Sequence, residues 1–246
     1  MLAHATLPER VAYPGGYDRV KWHLEKGAQT FKRFFGEKHK GCWPSESSIS
    51  NQTLSLLNDF GFDWTASGGS VIDNSLKLSE IKDAFSIHHP FKLKNTNIAC
   101  FFHGDGLSDF IGFEYSKWHT DDPVSDFIQH FENIAAHEHG DKVVSIIMDG
   151  ENVWEYFPDN GYHFLSSLYK RLANHPTIEL CTFSECLKNK SVIKSLPTLV
   201  AGSWVYGTFS TWIGSGDKNR GWDMLGDLKY AFDIAILNKR LTDKQI

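Results

Sequence analysis

The sequence predicts an α/β protein built from parallel βα units, on three observations. Short apolar runs alternate with amphipathic helical stretches along the chain, the pattern of strands joined by crossover helices. One run, VVSIIMDG at 143–150, is apolar almost without interruption, as a parallel strand buried on both faces requires. The 246 residues are 41% hydrophobic and 22% charged, enough apolar matter for a sizeable core and too little charge for wholesale disorder.

Taken in order, a helix is expected around Tyr17–Phe35, leading into the strand-like KGCWPSES. A second helix near Ser50–Phe60 turns Leu54 and Leu57 inward and stops at Gly61. FDWTAS and IACFFH follow as strands. Pro123–His137 carries Val124, Phe127, Ile128, Phe131, Ile134 and Ala135 at helical spacing. VVSIIMDG then feeds a helix over Gly161–Ala173, halted by Pro176. IELCTF is expected as a strand, followed by a short helix near Ser184–Lys190. After Pro197 an aromatic and glycine-rich loop, 201–222, leads to a last helix over Trp222–Lys239. These four or five units are too few for a barrel of the usual eight strands. The chain is an open sheet or a barrel with strands missing. Opening on a helix with no strand before it favours the second.

Composition excludes several functions. A net charge of −5 with scattered Lys and Arg provides no footprint for nucleic acid or an anionic membrane. The densest basic group, Lys32, Arg33, Lys38 and Lys40, is shared with Glu37 and reads as a solvated helix end. No run of about 18 apolar residues is present, and MLAHATLPER lacks the basic start and apolar stretch of a secretory signal. A cytoplasmic location is expected. The four cysteines follow neither zinc spacing nor a dense disulfide framework. Cys42 and Cys100 are expected as buried thiols. Cys181 and Cys186 have a spacing that can bridge, and in a cytoplasmic protein they are expected reduced.

Two carboxylates stand where parallel α/β proteins collect their chemistry, at strand C-termini. Glu46 ends KGCWPSE just before a helix, and Asp149 ends VVSIIMD before Gly150. Glycosidic cleavage needs such a pair, about 5–5.5 Å apart when configuration is retained. One attacks the anomeric carbon while the other protonates the leaving oxygen. Glu151 is placed to raise the acid's pKa by its own charge. Helix capping serves both positions as well, and spacing alone does not choose. His103, Asp105, Ser108 and Asp109 in HGDGLSDFIGF follow another strand end and fit either the same cleft or a capping turn. The chain has no HExxH pair, so no metal and no organic cofactor are expected. It also has no G-x-S-x-G elbow and no Walker loop. Eight Trp, eight Tyr and eighteen Phe suit the packing of sugar faces on flat rings, or a core that uses Phe for Leu.

Three segments together resemble glycoside hydrolase family 57, the α-amylase, branching-enzyme and 4-α-glucanotransferase group: GCWPSES at 41–47, IIMDGENVWEYFPDNGYHF at 146–164, and GSWVYGTFSTWIGSGDKNRGWDML at 202–225. GLSDFIGFEYS at 106–116 agrees with them. The resemblance implies an incomplete barrel of seven parallel strands over residues 1–197, then the start of a C-terminal helical region over 198–246. It implies Glu46 as nucleophile of a retaining double displacement and Asp149 as general acid/base. Trp43, Glu151, Trp154, Asp105, Asp109, Trp204 and Trp212 become candidates for holding an α-1,4- or α-1,6-linked glucan or maltooligosaccharide. The family's His-Gln-Pro strand is not found, so the chain is expected to lack the N-terminal barrel portion, which becomes a candidate partner. Two further departures stand out. The resemblance leads one to expect Arg-Asp at His103-Gly104 and a carboxylate at Gly69. A catalytically impaired glucan-binding or regulatory fragment lacking the N-terminal barrel strands is therefore the alternative. A metal-dependent polysaccharide deacetylase would need an Asp and two His at ligand spacing, which the chain lacks.

Overall fold

The computed structural model describes residues 7–9, 12–79, 87–94, 96–119, 122–150, 153–188 and 192–242. The chain divides into two compact units, Lys40–Thr208 and the pair Met1–His39 with Phe209–Ile246. The larger unit is a mixed α/β structure around one five-stranded sheet. In chain order its elements are β1 (Gly41–Cys42), α2 (Asn51–Asp59), β2 (Trp64–Gly68), α3 (Gly69–Leu78), β3 (Phe91–Leu93) and β4 (Ala99–His103), then α4 (Asp105–Asp109), α5 (Asp122–His137), α6 (Tyr162–Ala173), α7 (Phe183–Cys186) and β5 (Lys194–Leu196). The smaller unit holds α1 (Gly16–Phe35) and α8 (Gly216–Leu237).

The sheet runs β1-β2-β4-β3-β5. Its centre is β2 against β4 in parallel, with Trp64 beside Ala99 and Gly68 beside His103. Both strands are buried almost throughout. Leu54 and Leu57 of α2 and Val71 and Ile72 of α3 are buried as well. Ser50 caps α2 by accepting the Thr53 N–H at 3.1 Å, and Gly61 takes the left-handed conformation just past the helix, at φ 74°. A second core lies among helices, where Ile111, Tyr115, Val124, Phe127, Ile128, Phe157, Phe164, Leu168 and Leu172 pack together.

Three expectations are corrected. VVSIIMDG forms no strand; its only ladder contact is an isolated parallel bridge between His103 and Ser145. Its Ile146 and Met148 instead pack on the helical core, so burial, not pairing, explains the apolar run. A short apolar run has no period that separates these cases. IELCTF is also not a strand, because Thr182 is taken as the N-cap of α7 in a reciprocal capping box with Glu185. The sheet is not all parallel: β3 runs antiparallel to β4. The short helix expected near 184–190 is seen over Phe183–Cys186. β3 and β5, three residues each, are too short to show alternation.

In the smaller unit α1 buries none of its residues, and Tyr17, Phe34 and Phe35 are exposed on it. The buried side chains of α8 are polar. Asn219 accepts the Gly214 N–H at 2.9 Å and Asp223 accepts that of Glu9 at 3.1 Å. No helix among the described residues is long and apolar enough to cross a membrane.

β1 is held to β2 by close approach. Gly41 pairs with Trp64, and a Cβ on Gly41 would come within 1.9 Å of the Trp64 ring. Gly41→Ala is expected to push the indole aside and cost about 1–3 kcal/mol, the usual penalty of overpacking. The urea midpoint measures it; an unchanged midpoint would show that the ring does not lie on Gly41.

Candidate active site

Glu46 lies in a tight turn, Ser45–Ser47, directly after β1. Its backbone is left-handed, φ 56° and ψ 25°, and Ser47 follows at φ 51°. Two consecutive non-glycine residues in that region cost on the order of 1–3 kcal/mol each. The surroundings supply compensation. Trp204 donates its backbone N–H to the Glu46 carbonyl at 3.3 Å and its indole Nε1–H to Glu46 Oε2 at 2.9 Å. Ser67 Oγ donates to the Ser47 carbonyl at 2.6 Å. Trp43 Nε1 donates to Ser47 Oγ at 2.8 Å. At about 0.5–1.5 kcal/mol per bond, four such bonds match the strain in size.

The loop carrying Trp204 is itself fixed. Ile49 and Gly202 exchange both backbone hydrogen bonds, at 2.9 and 3.0 Å. A Cβ on Gly68 would meet Trp204 Cα at 2.7 Å, so glycine at the end of β2 permits the approach. Gly207, at φ 64°, leaves no room for a Cβ beside the Ser70 carbonyl, and Asn74 donates to its oxygen at 3.3 Å. Glu46 therefore caps no helix; Ser50 does that. Its carboxylate is exposed, with one oxygen held by an indole. Trp204, and Trp43 which donates to the neighbouring Ser47, are each 39% exposed.

His103 closes the underside at the end of β4. It is 7% exposed, with Nε2 at 3.5 Å from Ser47 Oγ. Burial lowers its pKa, and a backbone hydrogen bond with Gly104 opposes this less strongly. The imidazole is accordingly neutral near pH 7. Neither Ser47 nor Ser67 was anticipated from the sequence. Their one signal is position, beside Glu46 and at the C-terminal end of an apolar strand.

The remaining candidates are placed as follows. Asp149 is exposed, four residues beyond the Ser145–His103 bridge, and it caps no helix, since Val153 is the residue before the next helical turn. Glu151 lies outside the described residues. Asp105 opens α4, whose N-cap is Gly104. Asp109 ends α4, and burial raises its carboxyl above the usual range. Trp154 packs against Phe157 with ring centroids 5.6 Å apart, over Gly161, where a Cβ would come within 2.6 Å of the ring. Trp212 belongs to the smaller unit, and its carbonyl accepts the Trp222 indole N–H at 2.9 Å. The hydrogen bonds thus join Trp43, Glu46 and Trp204 into one group. A cavity of about 250 Å³ lies elsewhere, at the opposite strand ends, lined by Lys40, Asp63, Lys92 and Asn97 among others.

A carboxylate held by an indole N–H thus stands just beyond β1, near the C-terminal ends of β2 and β4. The chain belongs to glycosyl hydrolase family 57, whose model matches residues 4–197. Among solved structures it is similar to a GH57 branching enzyme from Thermococcus kodakaraensis, in complex with glucose and additives, at 17% identity and TM-score 0.62 over 85% of this chain and 50% of that one. An α-amylase from Thermotoga maritima is similar at 11% identity and TM-score 0.63, over 81% and 51%. A 4-α-glucanotransferase from Thermococcus litoralis matches at 20% identity and TM-score 0.56, over 72% and 26%. At these identities the likeness is one of fold. The chain spans about half the length of these structures or less. No curated protein sequence matches it.

The lowered His103 pKa predicts a pH dependence of stability. Between its ordinary value of 6.5 and the lower folded value, the unfolded chain binds more protons than the folded one. Stability is then fully present above 6.5 and falls as the pH drops towards the folded value. Urea midpoints taken from about pH 7 to pH 5 should decline in the native chain and decline less in His103→Gln. Parallel curves would assign the acid sensitivity elsewhere.

Proposed function

We propose that the chain is the carboxylate-bearing part of a retaining α-glucan-active glycoside hydrolase or 4-α-glucanotransferase. The observation that carries this is the Glu46 carboxylate held by the Trp204 indole in a strained turn, in a chain of family 57. In this reading residues 1–197 belong to an incomplete (β/α)7 barrel and 198–246 begin a helical region. Glu46 attacks the anomeric carbon with the oxygen that the indole does not hold. Asp149 gives its proton to the departing glycosidic oxygen, and Glu46 carries the glycosyl group. Asp149 then takes a proton from water or from a sugar hydroxyl, which displaces Glu46 and restores the original configuration. Trp43 and Trp204 pack on sugar rings, and Asp105, Asp109, Glu151, Trp154 and Trp212 belong to the surrounding glucan sites. The sheet-edge position of β1 fits a complementary barrel portion, the chain covering about half of these relatives.

The absence of the expected Arg-Asp at 103-104 and of a carboxylate at 69 favours a second reading, a catalytically impaired glucan-binding or regulatory fragment. Titration with a maltooligosaccharide beside a hydrolysis assay separates the two, since binding without turnover would support the second.

The roles are tested with an activated aryl maltooligoside, with the complementary portion added where activity needs it. Glu46→Gln should abolish the covalent intermediate, because an amide is a far weaker nucleophile than a carboxylate. Asp149→Asn should still form it, since a good leaving group needs little protonation, and then stall for want of a base. Azide should rescue Asp149→Asn and yield the α-glycosyl azide, whereas in Glu46→Gln it attacks directly and gives the β-azide. Near-native turnover by either mutant would remove that residue from the mechanism.

The indole contact has its own test. Trp204→Phe keeps a ring and removes the N–H on Glu46. kcat should fall by roughly tenfold, the loss of about one hydrogen bond to a solvent-exposed charge, with KM little changed. A rise in KM alone would make Trp204 a binding surface only.

A further inference from the structure

Cys181 lies just before α7 and Cys186 ends it, and their sulfur atoms lie 3.1 Å apart. All four cysteines are free thiols. The two members of this pair are unequal. Cys181 is exposed, open to any solute. Cys186 is 7% exposed and packs with Ala99 and Phe101 of β4. Burial, ahead of the neighbouring Cys181, pushes its thiol up to about 12, so at neutral pH it holds its proton.

The segment between them is rigid for its length. Thr182 and Glu185 satisfy one another in the capping box, with Glu185 Oε2 accepting from the Thr182 N–H and hydroxyl at 2.8 Å. Phe183 stacks on Phe101 with centroids 4.2 Å apart. Ser184 Oγ accepts the Trp64 indole N–H at 3.2 Å. These anchors tie α7 to the first residues of β2 and β4. The sulfurs are thus brought together by the fold as well as by a five-residue spacing. A disulfide needs a further approach of only about 1 Å to its bond length of about 2.05 Å.

We propose that Cys181 and Cys186 are a reversible dithiol–disulfide site, oxidised by a low-molecular-weight disulfide of the glutathione type. The Cys181 thiolate attacks one sulfur of the small disulfide, forming a mixed disulfide and releasing one small thiolate. Cys186 loses its proton to solvent as its sulfur attacks Cys181 and displaces the second small thiolate, and the two small thiolates take up the two protons that the cysteines gave up. Two protein thiols lose two electrons and two protons, and the small disulfide becomes two thiols. The product closes a short ring around α7, over the start of the two central strands.

The test is the equilibrium of the native chain with glutathione at fixed ratios of disulfide to thiol, quenched by alkylation and read by mass spectrometry of the 181–186 peptide. The same measurement in denaturant gives what the spacing alone supplies. The effective concentration of one thiol for the other should be at least about tenfold higher in the native chain. Cys186→Ser should instead accumulate the mixed disulfide on Cys181, and Cys181→Ser should leave Cys186 unmodified under native conditions. An effective concentration no higher in the folded chain would overturn the proposal. So would a wild-type product that stops at glutathione on Cys181, or Cys186 bridging to Cys42 or Cys100.

Discussion

The two-bond pairing of Ile49 with Gly202 is the constraint on which the candidate site depends. The two positions are far apart in sequence, yet the pairing brings the Trp204 loop against the turn that carries Glu46. Without that loop, the turn keeps two left-handed residues and loses two of the four bonds that offset them. Strained backbone persists only where its surroundings over-determine it. Here they do so from three directions: Trp204 above, Ser67 of β2 beside, and Trp43 of the same turn. The glycines at 68, 202 and 207 belong to the same device, since a Cβ at each would meet backbone or side-chain atoms within 2.7 Å.

The sheet separates two chemistries. At the C-terminal ends of β1, β2 and β4 stand Glu46, Ser67 and His103, with the Trp204 indole donating to the Glu46 carboxylate and the Ser67 hydroxyl to the Ser47 carbonyl. The N-terminal ends are bordered by lysines and by α7 with its two thiols. β2 and β4 link the ends through a continuous buried ladder, so α7 leans on the strands whose far ends support the Glu46 turn. Trp64 begins β2 and donates to Ser184; Ser67, three residues on, donates to Ser47.

Much of this was legible in the sequence because it follows from local physics. The strands at 64–68 and 99–103 and the helices at 51–59, 122–137 and 162–173 are marked by apolar period and by punctuation such as Gly61. The segments that misled were short apolar runs without a period, where 143–150 packs on helices and 178–183 gives way to a cap. For Glu46 the sequence left capping and catalysis open. The Ser50 cap settles the first, since that helix already has its acceptor. The Trp204 indole bond was beyond reach, because it depends on a pairing across about 150 residues. Ser47 and Ser67 were missed for the same reason: a serine next to a carboxylate or at a strand end has no signature until the third element arrives.

The two departures from the resemblance become intelligible together. An arginine at 103 would bring a permanent charge to a site where His103 is nearly fully buried, and such a charge is tolerated only with a carboxylate partner. Position 69 is where a carboxylate was expected, and it adjoins that site: a Cβ on Gly69 would lie 3.0 Å from the His103 carbonyl oxygen. With His103, Gly104 and Gly69 in place of the expected arginine and carboxylates, these positions bring no permanent charge to be buried. The neighbour that Ser47 Oγ meets at 3.5 Å is therefore an imidazole that burial keeps neutral.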